Sequence, residues 1–154
     1  MNCKRPTKDE YYINIALTVS ERSTCLKRHY GCVIVKDDII IATGYNGSPR
    51  GQANCCDIGS CQRAMAERYS GYEKCESVHA EQNALIAASR DRLLDSTVYL
   101  ACAGSKVNEM SAFERDLTWH EDCSPVPCPL CMRMLINAGV KRIVNRMGDI
   151  YVRA

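Results

Sequence analysis

Apolar side chains recur at helical spacing between residues 9 and 20, where Tyr12, Ile13, Ala16, Leu17 and Val19 fall mostly on one side and Thr7 or Asp9 stands ahead as an N-cap. The spacing predicts an amphipathic helix that runs to about Arg22. The period then changes. Residues 31–35 and 39–43 are apolar, β-branched runs parted by Lys36, Asp37 and Asp38, which reads as a hairpin. Residues 44–51, Gly-Tyr-Asn-Gly-Ser-Pro-Arg-Gly, have the composition of an irregular loop, and residues 52–76 have no clean period at all. A helix resumes over residues 80 to about 93, with Ala84, Leu85, Ala87 and Ala88 turned inward, and residues 97–102 read as a buried strand. Residues 129–137 form a further helix closed by Ala138 and Gly139, residues 141–145 a strand, and residues 150–152 a last short one.

Strands that alternate with helices after an initial hairpin indicate an α/β sandwich on a mixed sheet. No internal repeat or linker divides the pattern, so residues 1–154 are expected to form one domain around one core. A net charge of +2 offers no polyanion-binding surface, so neither nucleic acid nor a membrane is expected as a partner. Cysteine changes the picture more. The chain has 11, an odd number without the regular spacing of a disulfide framework. The N-terminus mixes Lys4, Arg5 and Lys8 with Pro6, Asp9 and Glu10 and lacks the apolar core of a signal peptide, and no segment is long and apolar enough to span a bilayer. A reducing cytoplasm is the expected location, where clustered cysteines serve metals more often than disulfides.

Two short runs carry chemistry: Val78-His79-Ala80-Glu81 and Pro127-Cys128-Pro129-Leu130-Cys131. One imidazole and two thiolates are good ligands for a borderline-soft ion and leave the fourth tetrahedral position to water, as a catalytic zinc requires. Glu81, two residues past the ligand histidine, can stand beside that water and move its protons, which is hydrolytic chemistry. If Pro129 opens a helix, Cys128 and Cys131 share one face at its electropositive N-terminus, where their pKa values should fall. His79 and Glu81 would stand about 200° apart within a regular helix, so His79 is expected just outside one that begins near Ala80. A closed structural zinc site or a redox pair are the plainer readings. The first leaves Glu81 without a task, and no thioredoxin-like strand runs into the Cys-x-x-Cys. Cys55, Cys56, Cys61 and Cys75 fall in or beside the aperiodic stretch, and a segment that builds no core of its own is often held by a metal.

His-x-Glu followed by Pro-Cys-x-x-Cys is the signature of zinc nucleobase deaminases. His79-Ala80-Glu81-Gln82-Asn83-Ala84, the Pro127 to Cys131 run and Leu135-Ile136-Asn137-Ala138-Gly139-Val140 together resemble the cytidine deaminase superfamily. Within it, Arg22-Ser23-Thr24-Cys25 and Ala42-Thr43-Gly44-Tyr45-Asn46-Gly47-Ser48-Pro49 look like the deoxycytidylate (dCMP) deaminase branch. The resemblance runs from about Tyr12 to Asn145, and its motifs are separate and in order. It implies a three-layer α-β-α sandwich with a mixed, mainly five-stranded sheet. It also implies hydrolysis of dCMP to dUMP and ammonia, supplying dUMP for thymidylate synthesis, in a homo-oligomer, hexameric in many relatives, activated by dCTP and inhibited by dTTP.

Carried over, the resemblance makes His79, Cys128 and Cys131 the ligands of a catalytic zinc and Glu81 the proton shuttle between the zinc-bound water, N3 of the base and the departing amine. Asn46 would hold the sugar hydroxyl, Arg22 with Ser23 the phosphate, Ala80 part of the substrate pocket, and Arg90 a second phosphate or an effector. Relatives with a second metal tend to place ligands where Cys25, Cys55, Cys61 and Cys75 stand, and four thiolates would close a structural zinc site, with Cys56 as a substitute for Cys55. Residues 103–122 depart from the family, whose members pass directly from the strand at 97–102 into a Ser-x-x-Pro-Cys turn. Met110, Phe113 and Leu117 predict a short amphipathic helix in that insert, as a surface elaboration, a lid or a subunit contact, and Trp119 and His120 end it close to the zinc motif. The rivals are zinc deaminases of cytidine, guanine or tRNA adenosine, the last of which wants a basic groove, and a non-catalytic zinc-binding module.

Overall fold

The computed structural model describes residues 3–67, 70–104 and 126–154, so the helix expected in the insert lies outside the described residues. Five strands, β1 (Arg28–Lys36), β2 (Ile39–Tyr45), β3 (Thr97–Gly104), β4 (Arg142–Asn145) and β5 (Gly148–Val152), form one mixed sheet in the order β2-β1-β3-β4-β5. β3 and β4 are parallel and the other three pairings antiparallel. Parallel neighbours need a crossover, and helix α5 (Pro129–Asn137) lies on it. The β1–β2 hairpin turns on Asp37 and Asp38, both at positive φ (49° and 62°), the backbone that a two-residue turn demands and that Asp tolerates.

Strand alternation sorts the core into two halves. On one face Val33, Val35, Tyr99, Ala101 and Val144 meet Tyr12, Ile13 and Ala16 of helix α1 (Lys8–Ser20). On the other, Cys32, Ile34, Val98, Leu100 and Ile143 meet Ala80 and Ala84 of helix α3 (Ala80–Ile86), Leu93 of helix α4 (Arg90–Leu93) and Leu135 of α5. The result is the expected three-layer sandwich around a mixed five-stranded sheet. β1 is buried on both faces, which is why residues 32–35 read as a continuous apolar run rather than an alternating one. Gly31 lets α1 lie directly on the sheet, because a β-carbon there would fall 1.9 Å from the Ala16 carbonyl oxygen.

The sequence predicts one helix over residues 80–93; the structure breaks it into α3 and α4, with Ser89 extended between them as the cap of α4. The cause is geometric. Ala84 and Leu93 are both buried, yet nine residues at about 100° each would put them on opposite sides of an unbroken helix. Among its described residues the aperiodic stretch contains α2 (Cys55–Ile58) and a 3-10 turn over Tyr72–Lys74. Cys102, on β3, is disulfide-bonded, against the expectation that thiols here serve metals, whereas Cys25, Cys32, Cys55, Cys61 and Cys75 are free. Among the described residues no helix is long and apolar enough to cross a membrane.

Thr7 caps α1 in a reciprocal box: its hydroxyl accepts from the Glu10 N–H at 3.2 Å while the Glu10 carboxylate accepts from the Thr7 N–H at 2.7 Å. The helix is then tied across the sheet through Asp9, whose two oxygens accept from Arg142 at 2.9 and 2.6 Å and from the Tyr99 hydroxyl at 2.8 Å. Arg142 reaches on to Asp149 of β5 at 2.6 Å. The Arg142 hydrogen bonds, aided by Tyr99, hold the Asp9 carboxyl below its usual pKa against a burial effect that raises it. A carboxyl depressed in the folded state stabilises above its unfolded pKa and ceases to do so as pH falls through the folded one. Because Asp9 is 39% exposed, the contribution is that of a partly screened pair. We expect Asp9→Asn to cost about 1 kcal/mol at pH 7 and the gap from wild type to close below pH of about 4, read from urea unfolding at both pH values. Equal stability at pH 7 would remove the pair from the account of the fold.

Candidate functional site

His79 sits as the N-cap of α3 with extended backbone (φ −72°, ψ 156°), outside the helix as its spacing from Glu81 requires. Its N–H donates to Gln82 Oε1 at 2.8 Å, which fixes the first turn. Cys128 caps α5 in the same way, with Pro129 at the first helical position and the Cys131 N–H donating to Cys128 Sγ at 3.4 Å. The two helix starts face each other, and His79 Nδ1 lies 3.6 Å from Cys128 Sγ and 3.4 Å from Cys131 Sγ. A zinc ion bonded tetrahedrally to nitrogen at about 2.0 Å and sulfur at about 2.3 Å would hold those atoms about 3.5 Å apart, so the donor set fits zinc in kind and in spacing. Among the described residues this is the one group of three or more potential ligands whose donor atoms all lie within 4.8 Å of one another.

The electrostatics suit that role. A hydrogen bond from Cys131, helped by His79 and by the backbone N–H of Cys131, pulls the Cys128 thiol down to about 3, while Cys131 holds the shared proton and is pushed up. Binding of a divalent cation requires that proton to leave. Glu81, 5% exposed in the first turn of α3, has its pKa raised chiefly by burial, against its own backbone N–H and the charge of His79. It is a carboxyl able to hold a proton nearer neutral pH than a surface glutamate can.

Residues 44–47 set the position of α3. A β-carbon at Gly44 would lie 2.3 Å from the Ala80 carbonyl oxygen and 2.5 Å from the Ala84 nitrogen, so the helix backbone rests on β2 itself. Asn83 Nδ2 donates to the Tyr45 carbonyl at 2.8 Å, and Gly47 pairs with Val78 through N–H···O bonds of 3.1 and 2.8 Å, which hold the chain just before His79. Asn46, buried between these anchors, donates from Nδ2 to the Arg28 carbonyl at 2.9 Å and accepts at Oδ1 from the Tyr30 N–H at 2.8 Å. One amide N–H and one oxygen lone pair remain for a ligand.

A cavity of about 280 Å³ opens over this centre, lined by His79, Ala80, Glu81, Cys128 and Asn46, with Cys131 fully buried in the core. Arg22, Ser23 and Arg90 are not in its lining. Arg22 is exposed just past α1, Arg90 is exposed at the start of α4, and Ser23 is buried with its hydroxyl accepting from the Cys25 N–H at 3.3 Å. Among the described residues the cations that line it are Lys27, Arg28 and Arg63. Arg28 was legible in principle: Arg28, Tyr30 and Cys32 alternate onto one face of β1, which begins three residues before the predicted start at residue 31. Arg63 comes from the aperiodic stretch and carries no sequence signal. Lys27 Nζ donates to the Arg63 and Ala66 carbonyls at 3.2 and 3.1 Å, the Arg63 guanidinium lies 4.6 Å over the Tyr72 ring, and Tyr72 stands 5.5 Å from the His79 ring.

Burial is the main cause that raises the pKa of Cys55, and Cys25, Cys61 and Cys75 all add to it. No three of them gather their sulfurs within 4.8 Å. Cys56 is exposed.

Residues 6–147 match the family model of the cytidine and deoxycytidylate deaminase zinc-binding region. The chain is 34% identical over 142 residues to the deoxycytidylate deaminase of Schizosaccharomyces pombe, a match covering 91% of this chain and 37% of that protein. It is 31% identical over 147 residues to the deoxycytidylate deaminase of Mycobacterium phage D29, covering 91% and 94%. Against the fungal relatives, S. pombe and Saccharomyces cerevisiae, the chain thus spans 37% and 38% of their length. The crystal structure of dCMP deaminase from the cyanophage S-TIM5 in complex with dCMP and dUMP is similar with a TM-score of 0.61 at 27% identity, covering 93% of this chain and 83% of that one.

The contact at Gly44 makes the geometry of the site testable. Gly44→Ala forces α3 off the sheet, and overpacking of this kind costs about 1 to 3 kcal/mol. Because His79 rides on that helix, we expect zinc affinity, measured by chelator competition, to fall at least about tenfold as melting temperature drops. Unchanged zinc affinity would show that the α3 contact does not position the ligand.

Proposed function

The chain belongs to the cytidine and deoxycytidylate deaminase zinc-binding family, and from that membership we propose that it hydrolyses dCMP to dUMP and ammonia at the centre formed by His79, Glu81, Cys128 and Cys131. The observation that carries the proposal is a zinc-sized His-Cys-Cys set and a buried, protonatable carboxyl opening into one cavity. The deoxycytidylate deaminases among its relatives and the S-TIM5 enzyme bound to dCMP and dUMP support the choice of substrate.

His79, Cys128 and Cys131 would hold the zinc, which when bound would make a water acidic enough to act as nucleophile near neutral pH. Glu81 is the mobile proton holder. It accepts a proton from the attacking water and donates it to N3 of cytosine as the C4–O bond forms, then takes the remaining proton of the C4 hydroxyl and delivers it to the amine as the C4–N bond breaks and ammonia departs. Its burial keeps the carboxyl ready for both directions of transfer, and it stands in the first turn of α3, two residues past His79. Asn46 offers its remaining N–H and lone pair to the sugar, and Ala80 lines the wall without side-chain bulk.

The proposal extends to a homo-oligomer, hexameric by family resemblance, with dCTP and dTTP as effectors. Ile86 of α3, 78% exposed, with Met134 and Ile136 of α5, offers apolar surface for contact between copies. The free thiols suit a reducing cytoplasm. A second, structural zinc on Cys25, Cys55, Cys61 and Cys75 is supported by the influence of the other three thiols on Cys55 and requires the four sulfurs to draw together around the metal.

Glu81→Gln preserves shape and cannot carry a proton. We expect it to retain its zinc while kcat falls by about 10⁴-fold or more, and a variant within a few-fold of wild type would sink the mechanism. For the second metal, elemental analysis of protein kept under reductant should find two zinc ions per chain, falling to one in Cys55→Ser. One zinc in the wild type would leave those thiols as packing residues.

A further inference from the structure

Tyr72 packs into neither half of the core, yet its ring joins Arg63 of the aperiodic stretch to the imidazole of His79. The two ring centroids stand 5.5 Å apart with their planes tilted by 49°, inside the range of about 4.5 to 7 Å over which ring pairs attract. The Arg63 guanidinium lies 4.6 Å over the Tyr72 ring, and its Nε is buried without a hydrogen-bond partner, so the ring rather than an acceptor holds it there. Both ends of this stack are anchored. Lys27, next to the start of β1, donates to the Arg63 and Ala66 carbonyls. Gly71, at a φ of 66°, turns the chain into the 3-10 turn that carries Tyr72, and the Lys74 and Cys75 N–H groups close it on the Gly71 and Tyr72 carbonyls at 3.1 and 3.0 Å.

His79 needs such a support. Its backbone is fixed by the Gly47–Val78 pairing and by Gln82, but those contacts leave the imidazole free to turn about its side-chain bonds. A metal-bound imidazole is ordinarily oriented by a hydrogen bond at its second nitrogen. Among the described residues the hydrogen bonds of this ring are made at Nδ1, on the side of the two thiols. The ring contact with Tyr72 is the remaining restraint on the imidazole plane. We propose that Tyr72 is a positioning residue for the metal: its ring, seated by Arg63 and the Gly71 turn, sets the plane of the His79 imidazole so that Nδ1 is aimed at the point it shares with Cys128 and Cys131. The proposal rests on the reading of those three residues as metal ligands.

The test uses the full chain, stripped of metal by chelator under reductant and reloaded with Co²⁺, whose absorption bands report the geometry of its ligands. The signal of this centre is the part of the spectrum that His79→Ala removes. Tyr72→Leu should shift those bands and weaken Co²⁺ and Zn²⁺ binding there roughly 3- to 10-fold in chelator competition, the effect of one ring–ring contact. Tyr72→Phe, which keeps the ring, should match wild type in both readouts. The metal-free Tyr72→Leu protein should keep the wild-type urea midpoint, because Tyr72 lies outside the core. Gly71→Ala, strained at a positive φ, should displace the ring and reproduce the band shift, and it serves if Tyr72→Leu does not fold. Wild-type bands and affinity in Tyr72→Leu, or equal loss in Tyr72→Phe, overturn the positioning role, as does a weakened affinity matched by an equal loss of metal-free stability. A wild type with no cobalt band that depends on His79 overturns the metal-centre reading itself, and the positioning role with it.

Discussion

The close approach of α3 to β2 at Gly44 is the contact on which the site depends. With no β-carbon between them, the helix backbone lies against the strand, and the Gly47–Val78 pairing locks the chain immediately before His79. His79 and Glu81 are then placed by the first turn of a helix whose height above the sheet has no freedom. The facing start of α5 brings Cys128 and Cys131 to within 3.6 Å of the imidazole. At both helix starts a candidate ligand residue stands at the N-cap position, and at α5 the Cys128 sulfur also accepts from the Cys131 N–H.

Burial then converts position into reactivity. Glu81 and Cys131 are almost wholly removed from water, and the carboxyl responds by holding its proton more firmly, while the electropositive start of α5 and His79 favour the thiolate on Cys128. Such a cluster of ionisable groups is destabilising unless each is paired. The opposite face of the sheet supplies order without chemistry: α1 rests on Gly31 and is clamped through Asp9 and Arg142, so the strands beneath the centre are held from behind.

The cavity walls follow a different logic from its floor. The floor is built from two helix starts and one loop with dense hydrogen bonding. One wall comes from β1, whose alternation presents Arg28 and Tyr30. Another comes from the aperiodic stretch, where Lys27 and the Tyr72 ring hold Arg63 in place. The cationic walls are therefore held by strand register and loop anchoring, whereas the candidate metal ligands and Glu81 are held at helix starts.

Local rules made much of this legible in the sequence. The two-residue step from His79 to Glu81 demanded that one lie outside a helix, Cys-Pro-x-Cys demanded a helix start with two sulfurs on one face, and β-branched runs marked the hairpin. Each is a relation between residues a few positions apart, where backbone geometry leaves few solutions. The break at residues 87–89 was not legible, because it arises from Ala84 and Leu93 both needing the same sheet. Nor was the presence of Lys27 and Arg63 in the cavity lining. Which charged side chain faces a cavity depends on where a helix ends relative to a strand that begins eight residues later, and on a loop anchored by contacts distant in the chain. Those are long-range packing relations, and only the folded chain decides them.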